Sequence, residues 1–221
     1  MAKRTAGDAR YAPTPKTRVR RRPKRAVYDR DIVHRILDEA LVAHVGFVAD
    51  GEPRVLPTAI ARIGEDVFIH GSANNHMLTC LAAGAPACIA VTLADSIVAG
   101  RSGFGCSMDY RSVVIYSNGQ TVERAAEKEQ IIQAFVQRII PDHRVRAPKP
   151  QEVAATIFLR FPLKEVSAKI RDVGVVDVEE DYSLDLWAGV IPLCLNAGAP
   201  RSCPRLKPGI DVPAYALKYR R

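Results

Sequence analysis

The amino-acid sequence predicts a mainly β protein with added helices, organised as a closed antiparallel barrel. Short apolar stretches alternate with strong turn signals, such as those at residues 50–53 and 117–119, so six or more strands follow one another in hairpins. Few stretches have helical periodicity, and an alternation of parallel strands with helices fits poorly. With 221 residues and 48% hydrophobic composition, the chain can bury a core without disulfide or metal crosslinks.

Three segments predict helices. Asp29 caps the first, and its apolar positions follow the 3.6-residue period at Ile32, Val33, Ile36, Leu37 and Leu41. A short helix over residues 76–83 follows a loop rich in capping residues at 71–75. The third helix, at residues 127–140, carries its apolar residues on one face. These helices are too few to alternate with the strands, which favours the antiparallel arrangement.

The predicted strands occupy most of the remaining chain. We expect them at residues 42–48, 54–62, 67–70, 87–93, 96–100, 112–116, 120–123, 155–163, 167–173 and 187–195. Residues 112–123 are alternatively one long strand with a bulge at the Asn-Gly turn signal. The stretch from 198 to 221, which contains several Pro and Arg residues, predicts coil.

The positive charge of the chain is concentrated at its N-terminus. The net charge is +8, but residues 1–25 hold ten basic residues and one acidic residue, so residues 26–221 carry −1. We therefore expect a disordered or loosely attached basic tail over 1–25 and a single domain over 26–221 with a C-terminal extension. The tail suits an arm for nucleic acid or anionic lipid, a solubilising terminus, or a segment packed on a dimer partner. A nucleic-acid partner is the less favoured interpretation because the body is nearly neutral.

Several functional classes are excluded or disfavoured by the sequence. No stretch approaches the ~20 apolar residues that a membrane-spanning helix needs. Five cysteines without a C-x-x-C pair predict reduced thiols in a cytoplasmic protein, although the Arg-rich terminus also fits a transit peptide. His76 and Cys80 would share a helical face, but two ligands do not make a zinc site. Phosphate-loop, nucleophile-elbow and H-E-x-x-H motifs are all absent.

Two polar segments could carry chemistry. In residues 68–77 a strand ends in Gly71 and Ser72 and passes directly into a helix near Asn75 and His76. Free backbone N–H groups at such a helix start can bind an anion, although the same residues also serve as ordinary caps. The second segment, residues 107–114, sets a polar cluster before an apolar strand. Its Arg111 could equally pair with a surface carboxylate.

Together these segments resemble the FMN-binding split-barrel family, the superfamily of pyridoxamine 5'-phosphate oxidase. The similar branch is that of the flavin-nucleotide-binding and 5-nitroimidazole-resistance proteins. The most specific piece is Ser107-Met108-Asp109-Tyr110-Arg111-Ser112-Val113-Val114, supported by Arg54-Val55-Leu56-Pro57-Thr58, His70-Gly71-Ser72 and Trp187-Ala188-Gly189-Val190-Ile191-Pro192-Leu193. The resemblance spans residues 23–215.

The resemblance implies a six-stranded antiparallel Greek-key split barrel that forms a homodimer, with FMN bound between the subunits. On this interpretation residues 55–58 line the flavin ring and residues 75–77 match the phosphate-binding Ser-Arg-Lys of the oxidase. Ser112 stands where the oxidase has a glutamine near the ring edge. The complete implied set of cofactor-binding residues is Val55, Leu56, Pro57, Thr58, His70, Gly71, Ser72, Asn75, His76, Met77, Arg111 and Ser112.

The function that follows is a flavin-dependent oxidoreductase whose substrate and catalytic acid or base the sequence does not identify. His76 and Met77 stand where the oxidase has Arg and Lys, so two phosphate-binding cations are weakened or lost. Two alternatives stay open. One is a haem-binding split barrel with His70 or His76 as the iron ligand, and the other is a nucleic-acid-binding regulator that uses the basic tail.

Overall fold

The computed structural model describes residues 9–220, which form two antiparallel sheets and a few helices. The strands are β1 Ala26–Val27, β2 Val42–Ala49, β3 Glu52–Ala59, β4 Ala61–Ile63, β5 Asp66–Ser72, β6 Pro86–Ala99, β7 Ser107–Asn118, β8 Gln120–Thr121, β9 Thr156–Pro162, β10 Glu165–Arg171 and β11 Gly189–Pro192. The α-helices are α1 Arg30–Glu39, α2 His76–Ala82, α3 Ala125–Ile139, α4 Pro150–Ala154 and α5 Ala214–Leu217. Short 3-10 helices lie at Pro23–Arg25 and Glu179–Ser183.

The strand order confirms a mainly β, antiparallel protein and differs in detail from the prediction. The larger sheet has the order β1-β10-β7-β6-β2-β3, with β11 added to β6, and the smaller sheet has the order β4-β5-β9-β8. No ladder joins the two sheets within residues 9–220, so a closed barrel of six strands is not confirmed. The two strands predicted at 87–93 and 96–100 are one strand, β6. The register shifts between Ala94 and Ser96, because Asp95 is an extra residue that bulges there.

The core lies between the two sheets and is closed by α1 and α2. Alternate residues of β2 and β7 face inward, with Val45 and Ile115 fully buried, as strand geometry requires. The Asp29 carboxylate accepts the backbone N–H of Ile32 at 3.0 Å and starts α1 as predicted. A second apolar cluster packs α3 on β4, β5 and β9, through Phe135 and Phe158 among others.

The N-terminal segment lies against the body, which differs from the prediction of loose attachment. Tyr11 is only 3% exposed, and its hydroxyl lies 2.9 Å from Nε2 of His34 and donates to Glu65 at 3.1 Å. Further along, the hydroxyl of Tyr28 donates to the carbonyl of Thr17 at 2.9 Å. One buried aromatic residue therefore anchors a segment whose composition is otherwise polar. The part of the predicted tail at residues 1–8 lies outside the described residues.

The C-terminal extension runs from β10 back across both sheets. β11 pairs with the end of β6, and it is shorter than the strand predicted at 187–195. The chain ends against α3, where the Tyr215 hydroxyl lies 2.6 Å from Nδ1 of His143 and the Tyr219 hydroxyl donates to Ile139. Within the part of the chain that the structure describes, no helix combines the length and apolarity needed to cross a membrane.

Candidate functional site

The segment predicted to line a flavin ring is the edge strand β3. Its only ladder partner among the described residues is β2, and Pro53 and Pro57 suit an edge because they cannot donate ladder hydrogen bonds. Val55 is 64% exposed, which leaves a large apolar side chain on an open edge. Strand alternation places Val55 and Pro57 on the outer face of the larger sheet, whereas Leu56 and Thr58 face the opposite side.

The outer face of the larger sheet also carries Ser112, so the structure brings two predicted site segments onto one surface. Pro57 on β3 is paired with His44 on β2, His44 with Ala90 on β6, and Ala90 with Val114 on β7, so these residues share one face. Ser112 lies two residues before Val114 and therefore faces the same way. Three strand spacings, about 14 Å, separate β3 from β7 across this surface. Ser112 also pairs with Lys169, whose carbonyl accepts its hydroxyl at 3.3 Å. An extended, partly apolar surface is thus open to a planar ligand or to a second chain.

The turn between β5 and α2 holds the predicted phosphate-binding residues. The side chain of Asn75 caps α2 by accepting the N–H of Leu78 at 3.1 Å, and Ser72 accepts the N–H of Asn74. A Cβ on Gly71 would lie 2.9 Å from the side chain of Leu78, so a larger residue here would require Leu78 to shift. Ser72 and Asn75 therefore have roles in the turn itself. α2 is only seven residues long, which weakens its helix dipole.

Two predicted cofactor-binding side chains are engaged elsewhere. Met77 is 4% exposed and packs in the main core, because it lies on the same helical face as Leu78 and Leu81. Arg111 donates to both oxygens of Glu39 and of Asp95, and these hydrogen bonds raise its pKa. It ties α1 to β6 and β7, which is the carboxylate pairing that the sequence left open. Neither side chain is presented to a ligand on the outer face.

The polar cluster at the start of β7 has a buried ion pair as its centre. Asp109 and Arg171 are 4% and 6% exposed and form a salt bridge between β7 and β10. Ser96 donates to the same carboxylate, as do the backbone N–H groups of Val173 and Gly174. Burial opposes ionisation of Asp109, but these hydrogen bonds and the charge of Arg171 outweigh it and lower its pKa. The family-like motif thus joins the sheet to the start of the C-terminal extension.

His70 occupies a different environment from the other predicted site residues. Its ring is held between two aromatic rings, with centroid distances of 4.4 Å to Phe135 and 5.5 Å to Phe158. Its Nδ1 atom is buried and has no hydrogen-bond partner within the described chain. Burial lowers the pKa of the imidazole, so the ring is neutral near physiological pH. A buried polar atom without a partner is unusual, and it makes this imidazole a candidate ligand for a bound group.

The ring of His70 lines a pocket of about 380 Å³ between α3, β9 and the loop before α4. Apolar side chains form most of its wall, including Ile132, Val136 and Val145. The ion pair of Arg146 and Glu152 supplies the polar part of the lining. This combination suits a largely apolar ligand with a group that an imidazole nitrogen can bind. The sequence pointed to His70, but the pocket depends on lining residues of α3 and its loop, from Ile132 onward, that are more than 60 residues away in the chain.

His76, the second histidine considered as a ligand, lies on the surface. Its side chain is 54% exposed and its Nε2 lies 3.8 Å from a carboxylate oxygen of Asp50. Cys80, one turn along α2, has its sulfur 3.7 Å from the same ring nitrogen. Across the described residues there is no cluster of three or more histidine, cysteine, aspartate or glutamate side chains suited to a metal ion. Of the two histidines, His70 lines the pocket described above, and His76 is exposed on the surface.

These features define a mainly β protein with an open sheet face and a separate histidine pocket, and comparison with known proteins identifies its family. The family model described as pyridoxamine 5'-phosphate oxidase matches residues 29–170. The chain therefore belongs to the pyridoxamine 5'-phosphate oxidase family. A search of curated proteins gave no match.

Two solved structures are similar over most of this chain. The flavocytochrome Anf3 from Azotobacter vinelandii is 34% identical, with 95% of this chain and 99% of that chain covered and a TM-score of 0.88. The FAD and heme binding protein from Mycobacterium smegmatis is 32% identical, with 86% and 95% covered and a TM-score of 0.82. A candidate 5-nitroimidazole antibiotic resistance protein from Bacteroides thetaiotaomicron, at 17% identity, 66% and 86% coverage and a TM-score of 0.57, shares the fold.

Proposed function

We propose that this chain is a homodimeric redox protein that binds a flavin and haem. The observation that carries the haem assignment is His70, a neutral imidazole with an unpartnered buried nitrogen in a mostly apolar pocket. The two relatives above 30% identity are a flavocytochrome and an FAD and haem binding protein. When bound, flavin and haem supply the electron-transfer chemistry, and the protein's residues hold and shield them.

His70 is the better iron ligand of the two histidines that the sequence suggested. Neutral imidazole is the form that binds iron, and burial keeps His70 in that form. The rings of Phe135 and Phe158 fix its orientation, so little freedom is lost on ligation. The ion pair of Arg146 and Glu152 forms the polar part of the same pocket. The side chain of His76, in contrast, is 54% exposed.

The flavin and the homodimer are proposed on the outer face of the larger sheet. Val55 and Pro57 at the edge and Ser112 in the centre share this face, and apolar groups remain open to solvent there. A second copy packed on this face would cover the exposed strand edge and enclose a flavin ring between subunits. We expect the dimer to bury well above ~1,000 Å².

We propose FAD rather than the FMN that the family resemblance suggests. In the turn between β5 and α2, His76 is the one titratable cation, and Met77 points into the core. An FMN phosphate bound at this turn would therefore lack the permanent cations on which tight phosphate binding depends. The relative from Mycobacterium smegmatis is described as binding FAD.

An absorbance spectrum of the purified full chain, produced with haem supplied, tests the cofactors. We expect flavin bands together with a Soret band, and FAD and haem on mass spectrometry of the released cofactors. His70→Ala should lose the Soret band and keep the flavin, whereas the matched control His76→Ala should keep both. Added imidazole should restore the Soret band to His70→Gly, which separates ligation from misfolding. An unchanged Soret band in His70→Ala would overturn the ligand assignment.

Light scattering at micromolar concentration tests the assembly. We expect a stable dimer, and Val55→Lys should weaken it because the substitution places a charge on the proposed contact face. The matched control is Ile63→Lys, at an exposed position on β4 of the other sheet, and this variant should leave the dimer intact. A wild-type monomer under these conditions would contradict a flavin site formed between subunits.

A further inference from the structure

A cationic pocket on the N-terminal segment has no role in the sites described above. It has a volume of about 640 Å³, and its basic lining residues are Arg21, Arg22, Arg25, Lys169 and Arg171. The remaining lining residues are Phe104, Gly105, Ser107, Val173 and Val176, so the lining contains no carboxylate. Arg171 is paired with Asp109, and four cations without a counter-charge in one pocket indicate an anionic ligand, because like charges placed together repel one another.

Four of these cations are available to a ligand. Arg171 is neutralised by Asp109, but Arg21, Arg22, Arg25 and Lys169 have no ion-pair partner among residues 9–220. The backbone brings the arginines together at a tight turn before the 3-10 helix, where Arg22 has a φ of 57°. Left-handed backbone is uncommon for residues other than glycine, and it is found at positions that ligands use.

A fully exposed aromatic ring stands at the rim of the same pocket. Phe104 is exposed over its whole surface, although it lies in a loop that is well held. Asp177 accepts the backbone N–H of Arg101 at 3.1 Å, and the carbonyl of Ser102 accepts the N–H of Gly105 at 3.0 Å. A Cβ on Gly105 would lie 2.2 Å from Asp177, so the loop packs directly on this carboxylate. A rigid loop thus presents an apolar ring to solvent.

Cations beside an exposed aromatic ring match the chemistry of a nucleotide. Arginine binds phosphate oxygens through paired N–H groups, and an exposed aromatic ring can stack on a base. The pocket begins one strand from the proposed flavin surface, because Lys169 is the direct cross-strand neighbour of Ser112. We propose that this pocket binds an adenosine diphosphate group, that of FAD, with the arginines and Lys169 on the diphosphate and Phe104 on the adenine.

This inference rests on the proposed flavin function and gives it a physical basis for cofactor choice. FMN lacks the adenylate part of FAD, so the pocket would favour FAD while the ring surface holds both flavins. It also assigns a role to the basic residues of the N-terminal segment that the near-neutral body does not require. Arg18 and Arg20 lie in the same segment, are exposed and do not line the pocket, which makes them matched controls.

Titrations of the full chain with FAD, FMN, ADP and inorganic pyrophosphate test the proposal. Arg21→Gln with Arg22→Gln should weaken the binding of FAD and ADP at least about tenfold, because charge-assisted bonds to the diphosphate are lost. FMN should change little. The control pair Arg18→Gln with Arg20→Gln removes the same charge and should leave all four affinities within about twofold. Phe104→Ala should weaken ADP and FAD about tenfold through lost stacking, and should leave pyrophosphate unchanged.

Each outcome decides the assignment. Equal losses in the two arginine pairs, an FMN loss as large as the FAD loss, or no ADP binding by the wild type would overturn it. Tighter binding of a short single-stranded oligonucleotide than of ADP would assign the surface to nucleic acid and also overturn it. ADP binding that depends on Arg21 and Arg22 in a chain that binds no flavin would refute the proposed function while leaving a nucleotide pocket. Flavin binding that does not depend on these residues would refute the nucleotide pocket while leaving the proposed function.

Discussion

Replacing Asp109 by Asn tests whether the buried ion pair at the start of β7 holds the two sheet elements and the C-terminal extension together. The substitution preserves shape, but it removes the charge that faces Arg171, and both residues are more than 90% buried. The two N–H groups that the carboxylate accepts, from Val173 and Gly174, also lose a charged acceptor. Breaking a buried pair by removing one partner costs about 3–5 kcal/mol. We expect about 3 kcal/mol, because the pair lies at the end of the sheet rather than at its centre.

Urea unfolding followed by circular dichroism measures this loss. With a slope of about 2–3 kcal/mol per molar urea, the midpoint should fall by about 1 M. The matched control is Glu152→Gln, which breaks the exposed pair with Arg146 and should leave the midpoint unchanged. If Asp109→Asn and Glu152→Gln unfold at the same urea concentration as the wild type, the ion pair does not stabilise the fold and the reasoning fails.

Three further predictions concern Asp109, Tyr11 and Met77. The pKa of Asp109 is lowered in the folded state, so ionised Asp109 stabilises the fold fully above the unfolded pKa of about 3.9, and this contribution is lost as the pH falls through the folded pKa. In acid, the urea midpoint of Asp109→Asn should therefore approach that of the wild type. Tyr11→Phe should lower the free energy of unfolding by about 1 kcal/mol, because it removes the hydroxyl that bonds to His34 and Glu65. Deletion of residues 1–19 should lower it further because the buried ring is also lost. An unchanged thermal midpoint in the deletion variant would show that the segment is not anchored. Met77→Ala truncates a core side chain and should lower the free energy of unfolding by about 2–5 kcal/mol, while the folded protein keeps its FAD affinity. A selective loss of FAD binding would instead place Met77 at the cofactor.

The fold could be predicted from the sequence where the signal is local. Alternating apolar residues and turn dipeptides located β2, β5, β9 and β10 closely, and Asp29 marked the start of α1, whereas β7 is longer than the strand predicted at 112–116. The single long strand β6 was missed because Asp95 interrupts its alternation. Only the structure shows that Asp95 bulges out of the ladder, where it binds Arg111, which is 16 residues further along the chain.

The candidate site was less predictable, because its properties depend on contacts between distant residues. Arg111 looked like a cofactor ligand until its carboxylate partners Glu39 and Asp95 were located on α1 and β6. Met77 stands at a motif position that is cationic in the oxidase, yet the helical phase it shares with Leu78 and Leu81 already indicated burial. The basic N-terminus was interpreted from its composition as loosely attached, whereas the burial of Tyr11 fixes the segment that carries Arg21 and Arg22.

The two proposed cofactor sites lie on different sheets, and this separation makes the proposals independently testable. His70 and its pocket belong to β5, β9 and α3, whereas Val55, Ser112 and the cationic pocket belong to the larger sheet and the N-terminal segment. The two sets share no residue, so substitutions in one should act on the other only through the core between the sheets. Loss of haem in a His70 variant that retains FAD, and loss of FAD in an Arg21 and Arg22 variant that retains haem, would therefore report two separate binding events. Simultaneous loss of both cofactors in either variant, with an unchanged unfolding midpoint, would mean instead that the two sites are energetically coupled.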